Sequence, residues 1–388
     1  MRSAMASTSA IHDATLSLAC ELLARPSVTP AGGACLAIVA HRLALIDFRG
    51  ERVERGGVDN LWMRHGSDHP VVCFAGHVDV VPPGPLQAWT SDPFEPTERG
   101  GRLYARGATD MKGPIAAAIT AIERFVSRHP RHRGSIAVLL TCDEEGAATD
   151  GTAAVIEALQ ARGQSIDQCI VTEPTSTARL GDTIKNGRRG SLNGTLTVRG
   201  VQCHIAYPQR GRNPIHQAAP ALAELAATEW DRGNEYFPPT SFQISNVYAG
   251  TGAVNVVPGV LTALVNFRFA PVSTVDALRA RTEAVLRKHG LDYHMEWTLA
   301  AMPFLTPRGP LVDVLADSVR SVTGLEPALS TDGGTSDARF LAAIAREVAE
   351  FGPVSESAHT VDEHIRLADL APLSRIYEDA LERLLRVS

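Results

Sequence analysis

No long uninterrupted apolar run occurs in this sequence. The first 26 residues carry His12, Asp13 and Glu21 among their apolar positions, and no other stretch has the length a bilayer requires. A signal-peptide core and a spanning helix are therefore not expected, and a cytoplasmic protein is. Basic runs are missing too: the net charge is −6, and Lys and Arg are scattered without interleaved aromatics, so no nucleic-acid surface is expected. The six cysteines (Cys20, Cys35, Cys73, Cys142, Cys169, Cys203) form no C-x-x-C pair. Cys73, Cys142 and Cys169 lie in or beside apolar runs and read as buried thiols in a reducing compartment. The glycine-rich TDGGTSD (331–337) lacks the lysine and spacing of a P-loop, which argues against nucleotide binding. There is no internal repeat and no low-complexity segment. A small-molecule or peptide-like partner remains.

What is present is a chain of 388 residues, 44% hydrophobic, too long for one ordinary core and too apolar for disorder, so two domains are expected. Helical spacing of Ile11, Leu16, Leu18, Leu22 and Leu23 predicts a helix stopped by Pro26, with a second around Ala34–Leu45. Short apolar runs follow, VVCFAG (71–76), IAVLLT (136–141) and CIVT (169–172), separated by helical patterns at 114–127 and 152–162. Short apolar strands alternating with helices predict a parallel sheet covered on both faces.

After Gly187 the pattern changes. LNGTLTVRG (192–200), FQISNVYAG (242–250) and TALVNFRFA (262–270) alternate apolar with polar, as half-exposed strands do. With helices at 214–228 and 274–289 and a strand at 291–298, the order is the split β-α-β arrangement of a ferredoxin-like sandwich. Past Pro303 the α/β pattern resumes, with a helix near 310–323, a strand-like VAEFGPV (348–354) and a closing helix at 367–386. The expected organisation is a discontinuous domain of residues 1–189 and 303–388 around an insert of residues 190–302.

The chemistry gathers at strand ends. VVCFAG leads into His77 and Asp79, IAVLLT into Cys142-Asp143-Glu144-Glu145-Gly146, and CIVT into Glu173-Pro174. Ligand sites of open α/β sheets lie at such carboxyl ends. Residues two apart on a strand share a face, so Asp79 is placed to orient the His77 imidazole. Asp110 stands just before a helix start that Pro114 favours. Adjacent residues in extended chain point to opposite sides, so one of Glu144 and Glu145 can bind a metal while the other faces water. With a late histidine, this inventory suits two divalent ions and a free glutamate as general base. Singly, each residue is more often a core histidine or a solvated loop acid; acids after three successive buried strands are what a purely structural role does not explain.

Taken together, GHVDVVPPG, LYARGATDMKG, TCDEEG and the Glu-Pro of VTEP resemble the dinuclear zinc M20 metallopeptidase-like hydrolases, over essentially the whole chain. The resemblance implies a zinc-hydrolase-type fold: a mixed, largely parallel sheet with helices on both faces, plus an inserted ferredoxin-like α+β dimerisation domain. It implies two Zn2+ per subunit, which Co2+ can replace. His77 and Glu173 would serve one ion, Glu145 and His359 the other, and Asp110 would bridge them. Glu144 would be the base, Asp79 would orient His77, and His204 would act in trans across a homodimer on the oxyanion.

The segments GDTIKNGRRGSL, NEYFPPTSFQISN, GTGAVNVVPG and DGGTSDARF narrow the resemblance to members that hydrolyse N-succinyl-LL-2,6-diaminopimelate to succinate and LL-2,6-diaminopimelate, a step of lysine and cell-wall precursor synthesis. Arg188 would grip the succinyl carboxylate, with Tyr207, Asn255 and Thr335 as further substrate contacts and Arg189 the neighbouring candidate for Arg188. The chain departs from the family pattern at Cys203, Val254 and Ser355, all outside the ligand set. Two alternatives stay open: another amidohydrolase of the family, such as an acetylornithine deacetylase or aminoacylase, and a catalytically silent metal-binding dimer.

Overall fold

The protein is described here by a computed structural model covering residues 8–386. The first residues of the expected domain 1–189 and the last two of 303–388 lie outside the described residues. The chain forms two compact units. The larger takes the chain up to Gly187, Leu305–Ser330 and the chain from Ser336; the smaller takes Arg188–Phe304 and Thr331–Thr335.

The larger unit is built on an eight-stranded sheet in the order Arg49–Arg55, Val58–His65, Ser135–Thr141, Val71–His77, Ile166–Val171, Ala345–Glu350, Thr183–Lys185, Ala328–Ser330. The four central strands run parallel. Val71–His77 and Ser135–Thr141 are buried at every position. That is why their sequences are continuous apolar runs rather than alternations. The outer hairpin, RGERVER (Arg49–Arg55) paired antiparallel with Val58–His65, extends the sheet at one edge. It escapes sequence reading because its outer strand is almost wholly exposed and carries no apolar pattern.

Helices Thr8–Leu23, Gly113–Arg128 and Leu367–Leu385 pack together and bury most of their apolar side chains in one core. Hydroxyls join them inside it: Thr120 Oγ1 lies 2.9 Å from Thr15 Oγ1 and 3.0 Å from Ser374 Oγ, and Ser374 Oγ donates to Ala117 O at 2.7 Å. Each such bond contributes about 0.5–1.5 kcal/mol net, and leaving one partner bare costs more. Tyr377 ties the closing helix to the sheet, its OH donating to Phe351 O at 2.6 Å and its ring meeting Phe74 edge-on.

The topology decides where a site can form. From Val71–His77 the chain crosses to one neighbour, Ser135–Thr141, then returns to the other side as Ile166–Val171. Strand order therefore reverses at Val71–His77, and the carboxyl end of that strand is the topological switch point where open α/β sheets bind ligands. His77 is its last residue.

The smaller unit is a four-stranded antiparallel sheet, in the order Ser241–Ala249, Val260–Phe269, Gly190–Arg199, Tyr293–Ala301. Helices Pro214–Ala227 and Val275–Lys288 accompany it. Val260–Phe269 alternates buried with partly exposed positions from end to end. Its buried side chains join Leu192, Leu196, Trp230, Leu278 and Leu286 in a second core. Both helices start on side-chain caps, Asn213 Oδ1 accepting Ile215 N–H and Thr274 Oγ1 accepting Ala277 N–H.

Candidate metal centre

Seven residues named from the sequence, His77, Asp79, Asp110, Glu144, Glu145, Glu173 and His359, meet at the carboxyl edge of the large sheet. His77 Nδ1–H donates to the Asp79 carbonyl at 2.9 Å. Its Nε2 then faces Asp110 Oδ1 at 3.2 Å and Glu173 Oε1 at 3.8 Å. Opposite, His359 Nε2 lies 2.7 Å from Glu145 Oε1 and 3.4 Å from Asp110 Oδ2. Asp110 thus turns one oxygen to each histidine.

Two details differ from the sequence reading. The Asp79 contact to His77 runs chiefly through its main-chain carbonyl; its carboxylate, 3.7 Å from Nδ1, accepts the N–H groups of Glu144 at 3.4 Å and Glu145 at 3.1 Å. The strand ends at His77, so the two-residue face rule no longer holds at Asp79. Glu144 and Glu145 also lie in a turn rather than in extended chain, and both reach the His77 side of the site. Asp143 makes that turn by accepting N–H groups of Ala147 at 3.0 Å, Thr149 at 2.9 Å and Asp150 at 3.1 Å.

Asp110 sits in the tight turn Ala108–Lys112 that precedes the helix Gly113–Arg128, with Pro114 in that helix's first turn. Gly107 enters the turn at φ 86°, where a Cβ would lie 2.7 Å from Val80 Cγ1, so only glycine fits. His359 is held at φ 61°, an uncommon conformation for a residue with a side chain.

Sequence reading missed Glu363. Its carboxylate is fully buried and accepts four hydrogen bonds: Oε2 from Arg106 Nη1 at 2.8 Å and Gly107 N at 3.0 Å, Oε1 from Thr109 N at 3.0 Å and Asp110 N at 3.1 Å. Its place two residues from a surface-exposed loop gives no local sign of burial; no signal in the sequence marks it.

Crowded carboxylates and imidazoles in a buried site shift one another strongly. Burial pushes the Glu144 carboxyl up to about 8; His77 opposes this, and Asp337, Glu145 and Asp110 reinforce it. Burial, then repulsion from Asp110, raises Glu173 well above the usual carboxylate range. Burial alone would raise Asp110 as well, yet hydrogen bonds from His359 and His77 hold it below its ordinary value. For His77 burial favours the neutral ring, but Asp110, Glu144 and Glu173 overcome it and raise the pKa. Hydrogen bonds to Asp110 and Glu145 push His359 up to about 10.

Three donor groups emerge: His77 with Asp110 and Glu173, His77 with Glu144 and Glu145, and Asp110 with Glu145 and His359, each with ligand atoms within 4.8 Å of one another. Imidazole nitrogen and carboxylate oxygen suit zinc and its divalent neighbours, and the acid-rich, mutually repelling set fits cations.

The remaining candidates lie in the smaller unit. His204 is exposed and its Nδ1 accepts Ala206 N–H at 3.1 Å, so Nε2 carries the proton. Tyr207 stacks at a tilt beside it, with ring centres 5.7 Å apart. The Asn255 carbonyl accepts Ile205 N–H at 3.0 Å, placing these three residues in one neighbourhood. Arg188 is buried and its Nη1 donates to the carbonyls of Asp332 and Gly334, both at 3.3 Å, next to Thr335.

A switch-point sheet bearing histidines and carboxylates in overlapping ligand groups defines a metallohydrolase, and the profile of Peptidase family M20/M25/M40 matches residues 73–383. The chain belongs to that family. It is 61% identical over 371 residues to the succinyl-diaminopimelate desuccinylase of Azoarcus sp. (strain BH72), covering 96% of this chain and 98% of that one. It is 61% identical over 378 residues to the protein of the same name from Aromatoleum aromaticum, covering 97% and 98%. Among solved structures it resembles an M20 family metallo-carboxypeptidase of Sulfolobus solfataricus, with TM-score 0.78, 19% identity, and 95% of this chain and 98% of that one covered. It also resembles a dinuclear metal binding peptidase of the M20 family from Bacillus subtilis, with TM-score 0.71, 16% identity, and 97% and 99% covered.

Proposed function

We propose that the protein is a dinuclear-metal amidohydrolase that converts N-succinyl-LL-2,6-diaminopimelate and water to succinate and LL-2,6-diaminopimelate, in lysine and cell-wall precursor synthesis. The substrate rests on the near-full-length, 61% identical relatives of that name. The mechanism rests on one observation above the rest: Asp110 offers its two oxygens to two different histidines, at 3.2 Å and 3.4 Å. That is the arrangement a bridging carboxylate needs.

His77 and Glu173 would hold one ion, Glu145 and His359 the other, with Asp110 between them. When bound, a pair of Zn2+ ions, or Co2+ in their place, would lower the pKa of water and polarise the scissile carbonyl. Glu144, deep in the site with its proton affinity raised, removes the proton of the attacking water and later passes it to the leaving amine. Asp79 orients His77 through its carbonyl and fixes the Glu144–Glu145 turn through its carboxylate.

His204 donates its Nε2 proton to the developing oxyanion, acting across a homodimer. The dimer reading is supported by the smaller unit's edge strand Ser241–Ala249, which exposes Val247 and Tyr248. Arg188 holds the succinyl carboxylate through its guanidinium fork, and Tyr207, Asn255 and Thr335 complete the substrate contacts. Among the described residues no helix is long and apolar enough to cross a membrane. The biosynthetic step implies a cytoplasmic setting.

The test is the initial rate of the zinc-loaded protein on N-succinyl-LL-2,6-diaminopimelate and on N-acetylornithine, with a chelator-treated control. Metal-dependent turnover of the succinyl compound alone is expected. Turnover of the acetyl compound instead would overturn the substrate, and no turnover of either would overturn the enzyme.

A further inference from the structure

Glu363 touches no candidate ligand with its side chain except through the main chain, yet it is joined to both halves of the site. Three of its four donors, Gly107 N, Thr109 N and Asp110 N, come from the entry to one turn, so the carboxylate sets the direction of the Asp110 peptide. The same residue lies within the loop that carries His359, which Ser357 and His364 close. Ser357 Oγ donates to His364 O at 2.7 Å and His364 N donates back to Ser357 Oγ at 3.1 Å, while Ala105 N donates to Glu363 O at 3.1 Å. His359 within that loop keeps φ at 61°, an uncommon conformation for a residue with a side chain, which persists where its surroundings impose it.

We propose that Glu363 is a positioning residue for the metal centre, its buried carboxylate coupling the turn of Asp110 to the loop of His359 and so setting the geometry of the second ion's ligands. This rests on the reading of Asp110, Glu145 and His359 as ligands. A carboxylate is costly to bury, and only a full set of donors offsets that cost. Glu363 has that set from Arg106 and three main-chain N–H groups. A neutral amide in its place keeps one acceptor and turns a second donor toward N–H groups. An aspartate keeps the charge but is one methylene too short to reach all four. Both changes loosen Asp110 and His359 relative to each other, and neither removes a ligand.

The test uses the full-length wild type, Glu363→Gln and Glu363→Asp, stripped of metal and titrated with Zn2+ against a competing chelator. A parallel titration with Co2+ follows the visible absorption, and near-ultraviolet circular dichroism of the metal-free proteins reports folding. The wild type is expected to take up two ions. Both variants keep the wild-type dichroism and, because Asp110 serves both ions, bind each more weakly, the second, which also depends on His359, about tenfold to a hundredfold, the usual effect of losing a partner that orients ligands. Their cobalt absorption at the second site also shifts, and at saturating metal kcat falls while KM stays.

Wild-type affinity and cobalt absorption in both variants would overturn the proposal. So would loss of the metal-free dichroism in both, which would make Glu363 a determinant of folding and no more. A wild type that takes up no pair of ions would overturn instead the ligand reading beneath it.

Discussion

His359 Nε2 lies 2.7 Å from Glu145 Oε1, although 214 residues separate the two in sequence. Hydrogen bonds to Asp110 and, next, to Glu145 push the histidine's pKa to about 10, and His77 is raised as well by its own carboxylate neighbours. Metal ligation needs both rings neutral. Loading metal-free protein with Zn2+ at pH 7 therefore releases about two protons per subunit from the rings, one from each, and more from the Glu173 carboxyl, which burial raises and ligation must deprotonate. Calorimetric titration in buffers of different ionisation enthalpy measures the number, and His359→Gln should remove one of them.

Glu144→Gln keeps the size and polarity of the side chain and removes the base. We expect kcat to fall ~10²–10⁴-fold with both ions retained. Steady-state kinetics beside metal analysis of the same preparation tests this; loss of metal would show Glu144 to be a ligand.

The metal-free protein should lose stability as pH rises. Glu144 binds its proton more tightly folded, up to about 8, than its ordinary value of 4.5. Its contribution is therefore complete at low pH and lost between those values. His359, raised from 6.5 to about 10, contributes fully below 6.5 and loses that contribution as pH climbs through 10. Chemical denaturation of the metal-free protein from pH 5 to pH 10 should show the decline, and Glu144→Gln should flatten its lower half. A stability that rises across this range would contradict both assignments.

If His204 acts across the dimer, two inactive variants complement each other. His204→Ala should lower kcat ~10²–10³-fold as an oxyanion donor does. Mixed by refolding with Glu144→Gln, it forms hybrid dimers in which one site has both an intact base and an intact partner histidine. By random pairing of subunits roughly a quarter of wild-type activity should return. No recovery would place His204 in its own subunit's site or outside catalysis.

Asp79→Asn presents an amide to the N–H groups of Glu144 and Glu145, which the carboxylate now accepts. It leaves the carbonyl contact to His77 in place. We expect kcat to drop about 10–100-fold with KM little changed. A shift confined to metal affinity would instead assign the carboxylate to His77.

Much of the centre is legible in the amino-acid sequence, because its residues follow buried parallel strands whose apolar runs are plain there. His77 after VVCFAG, Glu144 and Glu145 after IAVLLT, and Glu173 after CIVT each inherit their place from a strand end. The alternation of Val260–Phe269 likewise announces the second unit and its half-covered sheet. The hairpin Arg49–Arg55 with Val58–His65 is not legible in the same way, since an exposed edge strand needs no apolar pattern.

The sequence by itself determined which side chains are available and which strands bring most of them to one edge, since burial on both faces writes itself into local composition. Only the tertiary structure decided the rest: that Asp79 meets His77 through its carbonyl, that Asp143 curls the Glu144–Glu145 turn, and that Glu363 gathers four donors behind Asp110. The Glu363 bonds join segments more than 250 residues apart; the other two are local, yet their partners too are set by how the loops turn rather than by any local period. A pattern can place a residue at the rim of a sheet. What turns each carboxylate toward one donor and away from another is the packed surroundings, where every buried polar group must find a partner.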